Sequence, residues 1–211
     1  RHLFRVAAGT DSMVLGDVQI LAQVKEGFHL ATELGTAGFF MNRLFQLAFR
    51  AGKRARTETE IGDGAVSVSY AAVELAEKIF DDLHKKSALV IGAGETAELT
   101  ATHLRSKEIG KLYITNRTQE RAEQLSKRVQ GEVVPFDNWF DTLHNVDIVI
   151  SSVEVNRFVL AAPDIQRTLK HHGSKILFII DIGVPRNIDP EVKNIENVFL
   201  YDLDTLHLMV E

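Results

Sequence analysis

Residues 88–99 read ALVIGAGETAEL, and this stretch decides the fold. The apolar run 88–91 is typical of a buried strand, and Gly92, Gly94 and Ala97 follow it in a Gly-x-Gly-x-x-Ala pattern that opens a helix. In such a turn the first glycine permits the tight bend, the second lets a pyrophosphate approach the backbone, and the small third residue lets helix and strand pack closely. The strand–turn–helix context predicts a dinucleotide-binding turn formed by Gly92, Ala93, Gly94, Glu95, Thr96 and Ala97. The alternative is a glycine turn in an α/β fold that binds no nucleotide.

The chain from Ser87 onward repeats this strand–helix alternation. Apolar runs occur at 88–91, 111–115, 132–135, 147–151, 175–181 and 197–201, and helical patterns occupy 95–107, 119–129, 139–144 and 163–172. Continuous Val, Ile and Leu runs are typical of strands buried on both faces of a parallel sheet. Because crossovers between parallel strands are right-handed, the pattern predicts an α/β, Rossmann-like doubly wound sheet.

The first part of the chain has a different rhythm and is predicted to be mostly helical. Apolar residues recur at helical spacing in 19–34, 40–51 and 65–80, and the polar stretch 57–64 separates the second pattern from the third. We expect three parts. Residues 1–62 form a partial, mostly helical domain, residues 63–200 form the Rossmann-like domain with its first helix, and residues 201–211 begin a C-terminal helix.

Composition excludes several classes of protein. The 211 residues are 45% hydrophobic and 25% charged, as in an ordinary globular protein, and the net charge is −5. An acidic chain does not bind nucleic acid over its whole surface, so any such contact is local. The basic cluster Arg50, Lys53, Arg54 and Arg56 is most simply a solvated helix end, with an RNA-phosphate patch as the alternative. No apolar run approaches the roughly twenty residues of a membrane span, and the eight histidines show no metal-ligand spacing.

The end of the second predicted strand indicates which dinucleotide is preferred. NAD sites usually carry Asp or Glu about twenty residues beyond the first glycine, where the carboxylate accepts from the ribose 2′-hydroxyl. This chain has Thr115, Asn116, Arg117 and Thr118 there, with no acid. A guanidinium with neighbouring donors suits a 2′-phosphate, which favours NADP over NAD. The alternative makes Thr118 a helix N-cap and Arg117 a solvated charge.

Two further strand ends carry polar residues. Ser151 and Ser152 close the fourth predicted strand, and ligands of open α/β sheets lie at the carboxyl ends of the strands. We therefore expect both serines near the nicotinamide ribose, with hydroxyls that merely cap the strand as the alternative. Asp181, Pro185 and Arg186 follow the fifth strand and suggest either a residue set that orients a domain interface or ordinary turn chemistry.

The amino-acid sequence resembles that of one family from residue 1 to about residue 206. The strings RHLFRVAAGTDSMVLGDVQILAQVK, AVSVSYAAVELA, VIGAGETAEL, ITNRTQERAEQL and DIGVPRNIDPEV resemble glutamyl-tRNA reductase. The resemblance implies an NADPH-dependent enzyme of tetrapyrrole synthesis that reduces glutamyl-tRNA to glutamate-1-semialdehyde. It also implies a cytoplasmic homodimer assembled through a long C-terminal helix, with the downstream semialdehyde aminomutase as a further partner. The chain then comprises the end of the catalytic domain and the NADPH-binding domain.

The same resemblance assigns residues in the first part of the chain. His2 matches the family histidine that is important for activity, and the positions that hold the glutamyl substrate are Ser12, Asp17, Val18, Gln19 and Gln23. The chain departs from the family pattern at Thr10, Asp17 and Val18, where the family usually has Leu, Glu and Pro. Shortening Glu to Asp retracts the carboxylate by one methylene, so contacts at 17 and 18 are less secure than those at Ser12 and Gln23.

One element of the family mechanism is not found in these 211 residues. The family nucleophile is a cysteine in a Thr-Cys-Asn-Arg motif upstream of His2, and this chain contains no cysteine. We therefore expect residues 1–211 to be inactive alone. Two other functions stay open. One is an NADP dehydrogenase of the shikimate dehydrogenase type, which would need a Lys–Asp pair in its first domain. The other is a non-catalytic nucleotide-binding module.

Overall fold

The computed structural model describes residues 1–11, 16, 18–59, 61, 68–169 and 175–210. The chain divides into two compact units, residues 1–67 and residues 68–211. The expected boundary after residue 62 falls among residues that are not described. The described part of the first unit contains the helices α1 (His2–Ala8), α2 (Val18–Glu33) and α3 (Phe39–Glu58).

A small core joins the three helices of the first unit. Ala7, Leu21 and Ala48 are buried in it. A Cβ atom on Gly52 would lie 2.2 Å from the carbonyl oxygen of Ala7, so α1 crosses α3 at a distance that only glycine allows. The rings of Phe28 and Phe45 stack with centroids 4.7 Å apart and tie α2 to α3.

The second unit is built on a six-stranded parallel sheet with the strand order β3-β2-β1-β4-β5-β6. The strands are β1 (Ser87–Ile91), β2 (Lys111–Thr115), β3 (Glu132–Val133), β4 (Ile148–Ser151), β5 (Leu177–Asp181) and β6 (Val198–Asp202). The helices are α4 (Val68–Phe80), α5 (Glu95–Ser106), α6 (Gln119–Val129), α7 (Trp139–Thr142), α8 (Ala162–Leu169) and α9 (Leu203–Val210). Strands β1 to β3 extend the sheet in one direction from β1, and β4 to β6 extend it in the other. This strand order confirms the predicted Rossmann-like sheet.

Apolar layers cover both faces of the sheet. Ala88 and Val90 of β1 face one layer, which includes α4, α5, α6 and α9. Leu89 and Ile91 face the other layer, which includes α7 and α8. Because both faces are covered, every residue of β1 is buried, which is why the strand reads as an uninterrupted apolar run.

Several element boundaries differ from those expected, and the ends of β3, α8 and α9 are examples. The third strand was expected over 132–135 but ends at Val133, because the chain turns there: the Val134 N–H makes the last bond to β2, to the Ile114 carbonyl at 2.9 Å, and the Pro135 carbonyl then accepts from the Asn138 N–H at 3.0 Å. The C-terminal helix was expected from residue 201, yet β6 continues to Asp202, whose carboxylate accepts from the Thr205 N–H at 3.0 Å and so caps α9. Helix α8 covers residues 162–169, and the remainder of the expected 163–172 segment lies outside the described residues.

No helix in the described part of the chain combines the length and the apolar character that crossing a bilayer would require.

Candidate functional site

The glycine turn after β1 has two glycines with opposite surroundings. Gly92 has a φ of +120°, and a Cβ there would lie 2.6 Å from the backbone oxygen of Ser152, so this position excludes any side chain. Gly94 is the N-cap of α5, and a Cβ there would meet nothing within 4 Å. Ala97, one turn into α5, is fully buried against the sheet. The turn is therefore tight beneath Gly92 and open above Gly94, as a backbone cradle for a pyrophosphate requires.

A cleft of about 310 Å³ opens at this turn, at the carboxyl ends of β1, β2 and β4. Its walls come from the turn itself, from the segment after β2, from Phe136 beyond β3, and from the segment after β4. The lining residues are Ile91, Gly92, Ala93, Gly94, Asn116, Arg117, Arg121, Phe136, Ser152, Val153, Glu154, Val155, Arg157 and Val159. The cleft therefore lies where an open α/β sheet binds its ligand.

Three arginines give this cleft its electrostatic character. Arg117, Arg121 and Arg157 line it together with a single acidic residue, Glu154. None of the three arginines belongs to an ion pair that the structure shows within the described part of the chain. An excess of cations without protein partners favours an anionic ligand.

Sequence reasoning missed Arg121 and Arg157. A signal for Arg121 was present, because it lies in the first turn of α6, where the positive end of the helix dipole disfavours a cation. A residue that breaks this local rule is a candidate for ligand binding. Arg157 had no comparable signal, since it lies in an irregular segment that only the fold brings to the cleft.

The other residues predicted at the end of β2 are placed as follows. Asn116 lines the cleft, and its Nδ2 donates to the Thr118 carbonyl at 2.9 Å, which fixes the bend before α6. Thr118 occupies the N-cap position of α6, but its side chain makes no capping hydrogen bond. Of the residues predicted in the glycine turn, Glu95, Thr96 and Ala97 lie in the first turn of α5 rather than in the cleft wall.

Buried hydroxyls mark the strand ends below the cleft. Strand register places Thr115, Ile91, Ser151 and Asp181 side by side at the carboxyl edge of the sheet. The hydroxyl oxygens of Thr115 and Ser151 are fully buried and have no hydrogen-bond partner among the described residues. Ser151, predicted to lie near the nicotinamide ribose, therefore lies beneath the cleft and does not line it, whereas Ser152 is half-buried and does. The open backbone cradle, the arginines and Ser152 are the residues present that fit a dinucleotide.

Hydrogen bonds to Asp181 hold the segment that follows β5. Its buried carboxylate accepts from the backbone N–H groups of Gly183, Asn187 and Ile188 at 2.6–3.1 Å. Burial raises the pKa of Asp181, and these three hydrogen bonds oppose the rise. Arg186 extends from the same segment to Asp202, 2.9 Å away at the end of β6. Of the two interpretations offered for this segment, these contacts are those of turn chemistry.

The residues assigned in the first unit are only partly described. Ser12 and Asp17 lie outside the described residues, as does the side chain of Val18. Gln19 and Gln23 lie on the first two turns of α2, where Gln23 is exposed. His2 is the first residue of α1, and its Nδ1 lies 2.6 Å from Asp11 Oδ2. Within the basic cluster, Arg54 is paired with Glu58 at 2.8 Å.

Similarity to known proteins covers the whole chain. Residues 1–59 match the family described as glutamyl-tRNAGlu reductase, N-terminal domain, and residues 74–209 match the family described as shikimate / quinate 5-dehydrogenase. The glutamyl-tRNA reductase of Geobacter sulfurreducens is 48% identical over 210 residues, which is 100% of this chain and 48% of that protein. The chain belongs to the glutamyl-tRNA reductase family. Its second unit belongs to the wider shikimate / quinate 5-dehydrogenase domain family.

Solved structures agree with this family membership. The glutamyl-tRNA reductase from Methanopyrus kandleri is 41% identical, with a TM-score of 0.64 over 98% of this chain and 52% of that one. The nucleotide-binding domain of glutamyl-tRNA reductase from Thermoplasma volcanium, at 19% identity and a TM-score of 0.51, shares the fold of 69% of this chain. The chain spans about half the length of the curated relatives it matches.

Proposed function

We propose that this chain is part of an NADPH-dependent glutamyl-tRNA reductase, which converts glutamyl-tRNA to glutamate-1-semialdehyde in tetrapyrrole synthesis. The observation that carries the cofactor assignment is the cleft at the glycine turn, whose wall holds three arginines that form no ion pair with the described residues. The observation that supports the substrate assignment is the match of residues 1–59 to the N-terminal domain of the family.

Different residues of the cleft bind different parts of the cofactor. The backbone of Gly92–Gly94 and the N-terminus of α5 hold the pyrophosphate. Arg117 and Arg121 bind the 2′-phosphate of the adenosine, because both follow β2, where an NAD-preferring site would carry an acid. Ser152 lies on the β4 side of the cleft, toward the nicotinamide ribose. When bound, NADPH supplies the hydride that reduces the activated glutamyl group.

The residues of the first unit act on the glutamyl end of the substrate. Ser12, Asp17, Val18, Gln19 and Gln23 are the proposed substrate-binding residues, and His2 is the proposed catalytic residue. A cysteine thiolate from outside residues 1–211 forms a thioester with the glutamyl group and releases the tRNA hydroxyl. His2 assists by donating a hydrogen bond or a proton to the carbonyl oxygen as charge develops there. The whole protein is proposed to act as a cytoplasmic homodimer that delivers its product to the aminomutase.

The proposal is tested by two measurements on two polypeptides. Fluorescence titration of residues 1–211 with NADPH and NADH should give clearly tighter binding of NADPH. A single-turnover assay of the full-length protein with charged glutamyl-tRNA and NADPH should give glutamate-1-semialdehyde. Equal affinity for the two cofactors contradicts the 2′-phosphate assignment, and a full-length protein that forms no semialdehyde contradicts the reductase assignment.

A further inference from the structure

The segment after α1 returns along the helix that it has just left. Gly9 has a φ of +77°, and its N–H donates to the Val6 carbonyl at 2.9 Å while the Thr10 N–H donates to the Arg5 carbonyl at 2.9 Å. These two bonds form a Schellman motif, which reverses the chain at a helix end. The Gly16 N–H also donates to the Gly9 carbonyl at 2.8 Å.

The reversal carries Asp11 back beside the first turn of α1. One carboxylate oxygen, Oδ2, lies 2.6 Å from His2 Nδ1, and the other, Oδ1, lies 2.8 Å from Arg5 Nη2. Asp11 is three-quarters covered, with 25% of its side chain exposed, whereas 82% of the His2 side chain is exposed. The carboxylate is therefore held by the helix on both oxygens, and the imidazole is the accessible member of the pair.

The support beneath this arrangement is rigid. Ala7 is fully buried, and the closeness of Gly52 to its carbonyl oxygen fixes α1 against α3. His2, Arg5 and Asp11 are therefore attached to one well-packed helix and its own return segment. Such an arrangement orients a side chain more closely than a pair of freely rotating surface residues.

We propose that Asp11 is the positioning residue for His2 in the reductase reaction. Its carboxylate accepts the Nδ1–H of the imidazole, so Nδ1 carries a proton in both the neutral and the cationic ring. Nε2 is then the ring nitrogen that faces the substrate, and Arg5 holds the second carboxylate oxygen of Asp11 at 2.8 Å, which keeps the first oxygen directed at the ring. The inference rests on the proposed function, because it concerns a residue that acts through His2.

The tautomer of His2 is directly measurable in residues 1–211. In a long-range ¹H–¹⁵N correlation spectrum at a pH where the ring is neutral, His2 should show the Nδ1–H tautomer, although free histidine prefers Nε2–H. Asp11→Ala should return His2 to the preference of free histidine, and Asp11→Glu should restore part of the Nδ1–H signal. Glu33→Gln is the matched control, because Glu33 lies 3.8 Å from His29 Nδ1 in an exposed pair and should leave His2 unchanged. An Nε2–H tautomer for His2 in the unmodified chain overturns the proposal.

Activity of the full-length protein separates this inference from the proposed function. Asp11→Asn should lower kcat about tenfold or more while KM for glutamyl-tRNA stays unchanged, and Asp11→Glu should recover part of kcat. An Asp11→Asn protein with unchanged kcat overturns the positioning role. Absence of reductase activity in the unmodified full-length protein, beside an Nδ1–H tautomer in the spectrum, contradicts the proposed function and leaves the Asp11–His2 pair supported.

Discussion

Arg117 and Arg121 are the two residues on which the proposed preference for NADPH depends. Both line the cleft beyond β2, and the first turn of α6 is an unfavourable place for Arg121 unless an anion binds there. A 2′-phosphate is the part of NADPH that NADH lacks. Residues that contact it should therefore affect one cofactor and not the other.

Replacing Arg117 with Ala should weaken NADPH binding by about 1.5–3 kcal/mol, the contribution of a hydrogen bond to a charged group. NADH binding should barely change, because NADH has no 2′-phosphate for Arg117 to contact. Titration of both cofactors measures the effect, and Arg128→Ala is the matched control, since Arg128 lies near the end of α6, the helix that follows Arg117, and pairs with Glu98 away from the cleft. Equal losses for the two cofactors would mean that Arg117 does not contact the 2′-phosphate.

Replacing the two glycines of the turn should have different effects, loss of cofactor binding at Gly94 and loss of stability at Gly92. Gly94→Asp should abolish NADPH binding while the fold survives, because the added carboxylate occupies and repels the pyrophosphate position. The fold tolerates it because Gly94 has open space around its Cβ position, a φ of −84°, and an N-cap role that aspartate performs well.

Gly92→Ala should instead destabilise the domain, since its Cβ would meet the Ser152 backbone at a φ of +120°. Thermal melts and NADPH titrations of both variants separate these outcomes, and a folded Gly94→Asp variant with normal affinity would exclude the turn from the site.

At the scale of elements, an ion-pair cluster joins α4 to α5. Lys107 Nζ lies 2.6 Å from a carboxylate oxygen of both Glu74 and Glu77. The hydrogen bond from Lys107 lowers the pKa of Glu74 below its ordinary value of 4.5. A carboxyl group with a lowered pKa in the folded state stabilises the fold above its unfolded pKa, and this stabilisation is lost as the pH falls through the folded pKa.

The free energy of unfolding should therefore fall on acidification below about pH 4.5, and Lys107→Met should reduce this dependence. At pH 7 the same variant should lose about 1 kcal/mol of stability, a modest value because the cluster is partly exposed. Urea unfolding across this pH range measures both effects. Lys127→Met, an exposed substitution on α6, serves as the control and should leave the pH dependence of the free energy of unfolding unchanged. If Lys107→Met shows the same pH dependence as this control, Glu74 does not contribute to the loss of stability in acid.

At the scale of the whole molecule, the cofactor cleft and the proposed catalytic histidine belong to different units. Every residue that lines the cleft comes from residues 68–211, whereas His2 and Asp11 belong to residues 1–67. The second unit has its own two-layered core on a complete six-stranded sheet. Cofactor binding should therefore need no residue of the first unit.

Residues 1–211 should bind NADPH but form no semialdehyde from glutamyl-tRNA. The cleft is complete within the chain, while the reaction needs a thiol and these residues contain no cysteine. A single-turnover assay beside a cofactor titration provides the test. Semialdehyde formed near the rate of the full-length protein would show that the thioester route is not required. Failure to bind NADPH would show that the second unit is not an autonomous cofactor-binding domain.

The fold class, the glycine turn and the place of Arg117 after the second strand could be predicted from the sequence, because each depends on local order along the chain. A strand buried on both faces is continuously apolar, and a tight turn at positive φ favours glycine, so both appear directly in the sequence. The boundaries of β3 and α9 were harder to predict, since a turn between Pro135 and Asn138 and a capping carboxylate at Asp202 set them.

The Asp11–His2 contact depends on a local reversal of the chain at Gly9, although neither residue type predicts it. Which residues far apart in sequence meet was visible only in the tertiary structure. Arg157 reaches the cleft because β4 lies beside β1, and Thr115 and Ser151 lie beneath the cleft because strand register places them on either side of Ile91. The reason is that such contacts depend on the packing of whole elements, which no local pattern records.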